Sequence, residues 1–156
     1  MSTTYTQLRY HLVFSTKHRM PLITSALRDN LYDYLGGVLR GNGGVLLAVG
    51  GMPDHVHLLA GWGTTLSVAE MLKLLKGASS RWINDQSKTN VFSWQEGYGA
   101  FTVSESSAAK VCRYIHRQEE HHRRRSFEEE WVDLLKRHNI EFDPADPFGE
   151  RRPARP

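Results

Sequence analysis

A chain of 156 residues, 40% hydrophobic and 24% charged, fits one globular domain able to bury about two thirds of its unfolded surface, not a disordered segment. No apolar run nears the ~20 residues of a membrane span, no basic-then-apolar leader opens the sequence, and the lone Cys112 excludes a disulfide framework, which together point to a cytoplasmic protein. The net charge of +3 divides into a basic body, 15 Lys and Arg against 9 Asp and Glu over residues 1–125, and an acidic end, 5 against 8 over residues 126–156, a division that suits a polyanionic partner or simply a solvated surface.

Residues Thr6–Thr16 alternate, with Leu8, Tyr10, Leu12 and Phe14 on one side and Arg9, His11, Val13 and Ser15 on the other, which is a strand. Leu27, Leu31, Tyr34, Leu35, Val38 and Leu39 recur at helical spacing over residues 23–41, and Gly41-Asn42-Gly43-Gly44 stops that helix. Two strands follow, Val45–Gly50 and His55–Gly61, joined by the turn Met52-Pro53-Asp54. Ser67 has the place of an N-cap for a helix to about Asn84. A fourth strand is expected near Ala100–Val103, then one helix from Ser106 to Arg124, and a last helix opening on the capping-box spacing of Ser126 and Glu129. The order βαββαβ is the ferredoxin-like (RRM-like) α+β pattern: an antiparallel sheet with helices on one face, the other face open, and additional C-terminal helices. Residues 1–142 form the expected domain, and residues 143–156 a disordered Pro/Arg-rich tail.

Strand periodicity puts His55 and His57 on one face, about 7 Å apart along the strand, while Val56, Leu58 and Ala60 point to the helices. That spacing lets two imidazoles converge on one metal ion, although His pairs on strands are more often surface or hydrogen-bonded residues. Tyr114 and Gln118 are four apart on the later helix and so share a face. Each taken alone reads as packing or surface. A phenol of pKa ~10 is a poor nucleophile unless a cation stands near it. Two imidazoles and an amide oxygen can hold a divalent ion, Mg²⁺ or Mn²⁺, with positions left open for a phosphate. Lys110, Arg113, Arg117, Arg123, Arg124 and Arg125 crowd the same region, as a nucleic-acid backbone contact or as a solvated helix face. Trp62, Trp94, Tyr98 and Phe101 can stack on unpaired bases or serve as core and loop anchors.

Several stretches resemble, in order, the single-tyrosine HUH transposases, both the small insertion-sequence enzymes and their REP-associated tyrosine relatives. They are Tyr10-His11-Leu12-Val13-Phe14-Ser15-Thr16-Lys17-His18-Arg19, Gly51-Met52-Pro53-Asp54-His55-Val56-His57-Leu58-Leu59, Leu75-Lys76-Gly77 with Ser80-Arg81-Trp82, Trp94–Phe101 and Tyr114–His122. The resemblance covers about residues 5–142. It implies that His55 and His57 are metal ligands, Gln118 a third ligand and Tyr114 the nucleophile. It further implies a homodimer that cleaves and rejoins single-stranded or hairpin DNA through a 5′-phosphotyrosine. One departure is Arg117, where the family often has Asn. The alternatives are a domesticated or inactive relative that binds single-stranded or hairpin nucleic acid without cutting it, and a metal-storage or metal-sensing protein. The second of these leaves Tyr114 and the basic helix without a role.

Overall fold

The structure, a computed structural model, describes residues 2–151. The chain forms two compact units, Met1–Gln118 and Glu119–Pro156. The first unit contains β1 (Arg9–Ser15), α1 (Ser25–Gly41), β2 (Val45–Met52), β3 (His55–Gly61), α2 (Val68–Ser87), β4 (Gly99–Thr102) and α3 (Ala108–His116). A short helix α4 (Gln118–His122) begins on its last residue, and α5 (Phe127–Arg137) belongs to the second unit.

The four strands pair antiparallel in the order β2-β3-β1-β4, the arrangement expected of βαββαβ. Alternation along β1 and β3 sends Leu12, Phe14, Val56, Leu58 and Ala60 to one side, where α1 and α2 close the main core with Leu31, Leu35, Leu39, Met71, Leu72 and Leu75. Each such side chain contributes about 1.5–3 kcal/mol on burial. Ser67 and Ser126 cap their helices as the sequence signals, accepting from the Glu70 and Glu129 amides, and Thr24, which the sequence reading did not single out, accepts from Leu27. Trp62 and Trp94 are core residues whose indole N–H groups donate to the Leu66 carbonyl and the Ser79 hydroxyl, and Phe101 is buried as well; Tyr98 stays partly exposed.

Two expectations are corrected. The second sheet face is not open. α3 lies across it, and Ala48, Leu59 and Ile115 form a second small core there, with Val103, Ala108, Val111, Cys112 and Tyr114 around it. His55 and His57, expected to look out from that face, are fully buried. The reason is a backbone approach that hydrophobic patterning does not reveal: a Cβ on Gly50 of β2 would overlap the Ile115 carbonyl oxygen and stand 3.1 Å from its carbon, so only glycine lets α3 settle so close. The single helix expected from Ser106 to Arg124 is also broken. A 3-10 turn precedes α3, and Arg117 leaves helical geometry at φ −101°, ψ 23° before α4 begins.

In the second unit the buried Glu130 carboxylate meets His122 Nε2 at 3.1 Å and His121 Nε2 at 3.2 Å. Burial lowers the His121 pKa below its ordinary value, with Glu130 pulling the other way and His122, Arg125 and Arg137 adding to the depression. Residues 143–151 turn back on α5: the Trp131 indole donates to the Pro147 carbonyl, and Phe148 packs on Phe127 and Trp131 at ring separations of 5.8 and 5.3 Å. The tail expected from residue 143 lies, for Arg152–Pro156, outside the described residues.

Because Gly50 is the contact that admits α3, Gly50→Ala should cost about 1–3 kcal/mol of stability by overpacking. Gly37→Ala, at an exposed interior position of α1 with nothing nearer than 3.9 Å to the added carbon, should instead gain about 0.5–1 kcal/mol from helix propensity. Thermal denaturation of the two variants checks the contrast, and equal effects would remove the special role of Gly50.

Candidate functional site

Three neighbouring elements of the first unit carry the candidate residues. β3 carries His55 and His57 on its α3 side, α3 carries the half-buried Tyr114, and the break at Arg117 delivers Gln118, which is buried. The two imidazoles are 5.1 Å apart between ring centres and nearly perpendicular, at 77°.

His55 Nδ1 lies 2.7 Å from Asp54 Oδ1, and its Nε2 lies 3.1 Å from Gln118 Oε1. With Asp54 accepting from an Nδ1–H, a neutral His55 ring turns its Nε2 lone pair toward Gln118. The Gln118 amide nitrogen donates to the Tyr114 carbonyl at 3.5 Å, which leaves the amide oxygen facing the imidazole. At 3.1 Å the two atoms are bridged either by a proton on Nε2, as an ordinary N–H···O hydrogen bond, or by a cation. Ligand atoms about 2.1 Å from an octahedral ion, at right angles to each other, stand about 3.0 Å apart. Nitrogen and oxygen donors at that separation therefore fit a small divalent cation.

His57 Nδ1 is 2.8 Å from His11 Nε2, the two rings roughly stacked at 5.1 Å. The Tyr114 ring stands edge-on to both, 5.7 Å from His57 and 6.0 Å from His11. Tyr114 and the histidine pair thus meet within one chain. The sequence missed Asp54, read as a turn residue, and His11, read only as one face of a strand. The signal for His11 was its parity: β1 pairs Val13 with His57, which sets His11 two residues along on the same face.

Of the six cations singled out, Lys110, Arg113 and Arg117 are exposed on α3 and its end, and their spacing of three and four keeps them on one face. Arg123 and Arg124 are exposed in the second unit, whereas Arg125 is half-buried, 3.6 Å from Asp133 and donating to the Glu129 carbonyl.

The comparisons with known proteins bear on this arrangement. The family model described as "Transposase IS200 like" matches residues 4–118, almost the whole first unit. The chain belongs to the IS200-like transposase family. The ISDra2 transposase TnpA of Deinococcus radiodurans is 34% identical over 118 residues, covering 72% of this chain and 84% of the relative. A crystal structure described as a transposase from Deinococcus radiodurans R1 superposes with a TM-score of 0.61 at 32% identity, over 74% of this chain and 93% of that one. The structure of a REP-associated tyrosine transposase bound to a REP hairpin shares the fold, with a TM-score of 0.55 at 11% identity over 88% of this chain and 73% of that one. The chain is thus a transposase by family, a class that cuts and transfers DNA. No helix among its described residues is long and apolar enough to cross a membrane.

In this IS200-like transposase the loop before β4 braces the strand end beside His55. Gln95 Oε1 accepts from the Ser15 amide at 2.8 Å, and Ser15 pairs with His55. Lys76 on α2 holds the same loop, donating to the Glu96 and Gly97 carbonyls at 3.1 and 2.9 Å. Burial lowers the Lys76 pKa from 10.5 to about 8, against the pull of Glu96. Between these values the unfolded chain holds the proton more firmly, so this residue's contribution to stability rises as pH rises from about 8 to 10.5. The melting temperature of wild type minus that of Lys76→Met should accordingly increase across that window; a flat difference would mean the ammonium is solvated.

Proposed function

We propose that the protein cleaves and rejoins single-stranded or hairpin DNA, with Tyr114 as nucleophile and His55, His57 and Gln118 as the ligands of a divalent ion. One observation carries the reading: in a member of this family, Tyr114 packs at 5.7 Å on the ring of His57, in the same buried face where His55 Nε2 and Gln118 Oε1 oppose each other. Mg²⁺ or Mn²⁺ suits a set of two imidazoles and one amide oxygen. When bound, the ion supplies Lewis-acid stabilisation for the charge that develops on a phosphate.

The chain's own residues do the rest. Tyr114 Oη attacks the scissile phosphorus, the bond from phosphorus to the 3′-oxygen breaks, and that oxygen leaves to take up a proton as a free 3′-hydroxyl. The phenolic proton passes to solvent, and the 5′-phosphate stays on the tyrosine. A later 3′-hydroxyl reverses the step, so the phosphodiester energy is conserved and no nucleotide cofactor is needed. Asp54 fixes the tautomer of His55, and the Gln118 amide is oriented through the Tyr114 carbonyl. Lys110, Arg113 and Arg117 meet the DNA backbone; Arg123, Arg124 and Arg125 of the second unit are further phosphate contacts, Arg125 while sharing its charge with Asp133. The hairpin in the REP-associated relative supports a folded DNA substrate here. The reading includes a homodimer, because exchange needs two DNA ends held at once and one domain of this size has a single tyrosine site.

The test incubates the protein with labelled single-stranded hairpin DNA from its own genomic flank, with Mg²⁺ or Mn²⁺ or with chelator. A covalent adduct should appear on a denaturing gel only with metal, and should vanish in Tyr114→Phe. His57→Ala should lower cleavage at least 100-fold while retaining binding. Tight metal-independent binding with no adduct would instead identify a binding module. The cationic face makes a separate prediction: neutralising Lys110, Arg113 and Arg117 together should flatten the slope of log affinity against log salt by about 2, at about 0.7 per single-strand phosphate contact. An unchanged slope would move the DNA elsewhere.

A further inference from the structure

We propose that His11 is a positioning residue for this site: it holds His57 in the tautomer that presents Nε2 to the ion, and it does so from the wall against which Tyr114 packs. The inference rests on the ligand set proposed above and adds a residue that neither the sequence motifs nor the family likeness assigned a role.

A neutral imidazole has one N–H and one lone pair, and which nitrogen carries which is decided by the partner of the other. For His57 to offer its Nε2 lone pair, the proton must sit on Nδ1, and in a fully buried ring that N–H needs an acceptor. His11 Nε2 stands 2.8 Å away, on a ring that is itself only 5% exposed. His11 then accepts on Nε2 and keeps its own proton on Nδ1, so donation runs from His57 to His11. His55 receives the same service from the Asp54 carboxylate at 2.7 Å. The two ligands are thus held differently, one by an anion and one by a neutral ring.

The His11 position also has a second contact set. Its ring lies edge-on to Tyr114 at 6.0 Å and to Phe101 at 6.1 Å. One side chain therefore touches both the ligand and the ring of the nucleophile, and the β1–β3 pairing of Val13 with His57 fixes it there. An apolar ring in its place would keep the packing and strand the His57 N–H. His57 would then gain by moving its proton to Nε2, which removes the lone pair needed for the ion. Partners of this kind commonly alter metal affinity by about 10- to 100-fold.

The experiment measures Mn²⁺ binding to the full chain without DNA, by the electron paramagnetic resonance signal of free Mn²⁺. It compares wild type, His11→Phe, His11→Gln and His57→Ala, with the metal-free melting temperature of each. His11→Phe should weaken Mn²⁺ about 10- to 100-fold. His11→Gln, whose amide oxygen reaches near the position of Nε2, should recover most of the loss. A His11→Phe protein that binds Mn²⁺ as wild type does, while His57→Ala loses it, overturns the role of His11 and leaves the ligand set standing. Unchanged binding in His57→Ala overturns the ligand set itself. A measurement on the unsubstituted protein guards against a variant that fails to fold: imidazole ¹⁵N shifts of the metal-free chain should show His57 protonated on Nδ1, and an Nε2–H form would overturn the proposal.

Discussion

A fully buried imidazole must have both ring nitrogens answered, and β3 buries two of them two residues apart. That requirement organises the first unit around the site. Asp54 answers one nitrogen of His55 and Gln118 faces the other, while His11 answers one nitrogen of His57. Each of these partners comes from a different piece of chain: the turn before β3, the break after α3, and the neighbouring strand. The polar contacts therefore tie together elements that hydrophobic packing alone would leave free to slide.

The sheet that carries this network is filled on both sides, unequally. Toward α1 and α2 it buries the large core of Leu, Val, Phe and Trp side chains; toward α3 Ala48, Leu59 and Ile115 form a smaller cluster, with Val13, Phe101 and the histidines buried on the same face. A thin apolar layer is compatible with a polar site only because the covering helix comes very near. Gly50 makes this possible by removing the one side-chain atom that would meet the Ile115 carbonyl. The same approach sets Tyr114, the residue preceding Ile115, against the rings of His57 and His11. Backbone closeness and site geometry are one fact seen at two scales.

Period-two and period-3.6 patterns and capping signals made the strands, both main helices, the caps Ser67 and Ser126 and the parity of His55 and His57 legible in the sequence. They did not make legible anything that depends on one backbone lying against another. The cover over the second face followed from Gly50, which in the sequence is simply a residue ending a strand. The break at Arg117 replaces the expected continuous helix, because nothing in Tyr114–Gln118 marks an interruption by composition. Asp54 and His11 were invisible as partners for a related reason: their roles depend on hydrogen bonds between residues 1 and 46 positions apart. The resemblance to HUH transposases named the site residues, and the family match to residues 4–118 bears out the family. The contacts of those residues emerge from the fold.

The IS200-like family membership and the buried donor set together make a single ion the centre of the proposed chemistry. Anomalous diffraction at the manganese edge, from crystals grown with Mn²⁺, addresses that claim most directly. One strong peak is expected on the α3 side of β3, about 2.1–2.3 Å from His55 Nε2, His57 Nε2 and Gln118 Oε1, with Tyr114 of either the same or a second copy beside it. No peak at saturating Mn²⁺, or a peak that leaves His57 and Gln118 uncoordinated, would contradict the account.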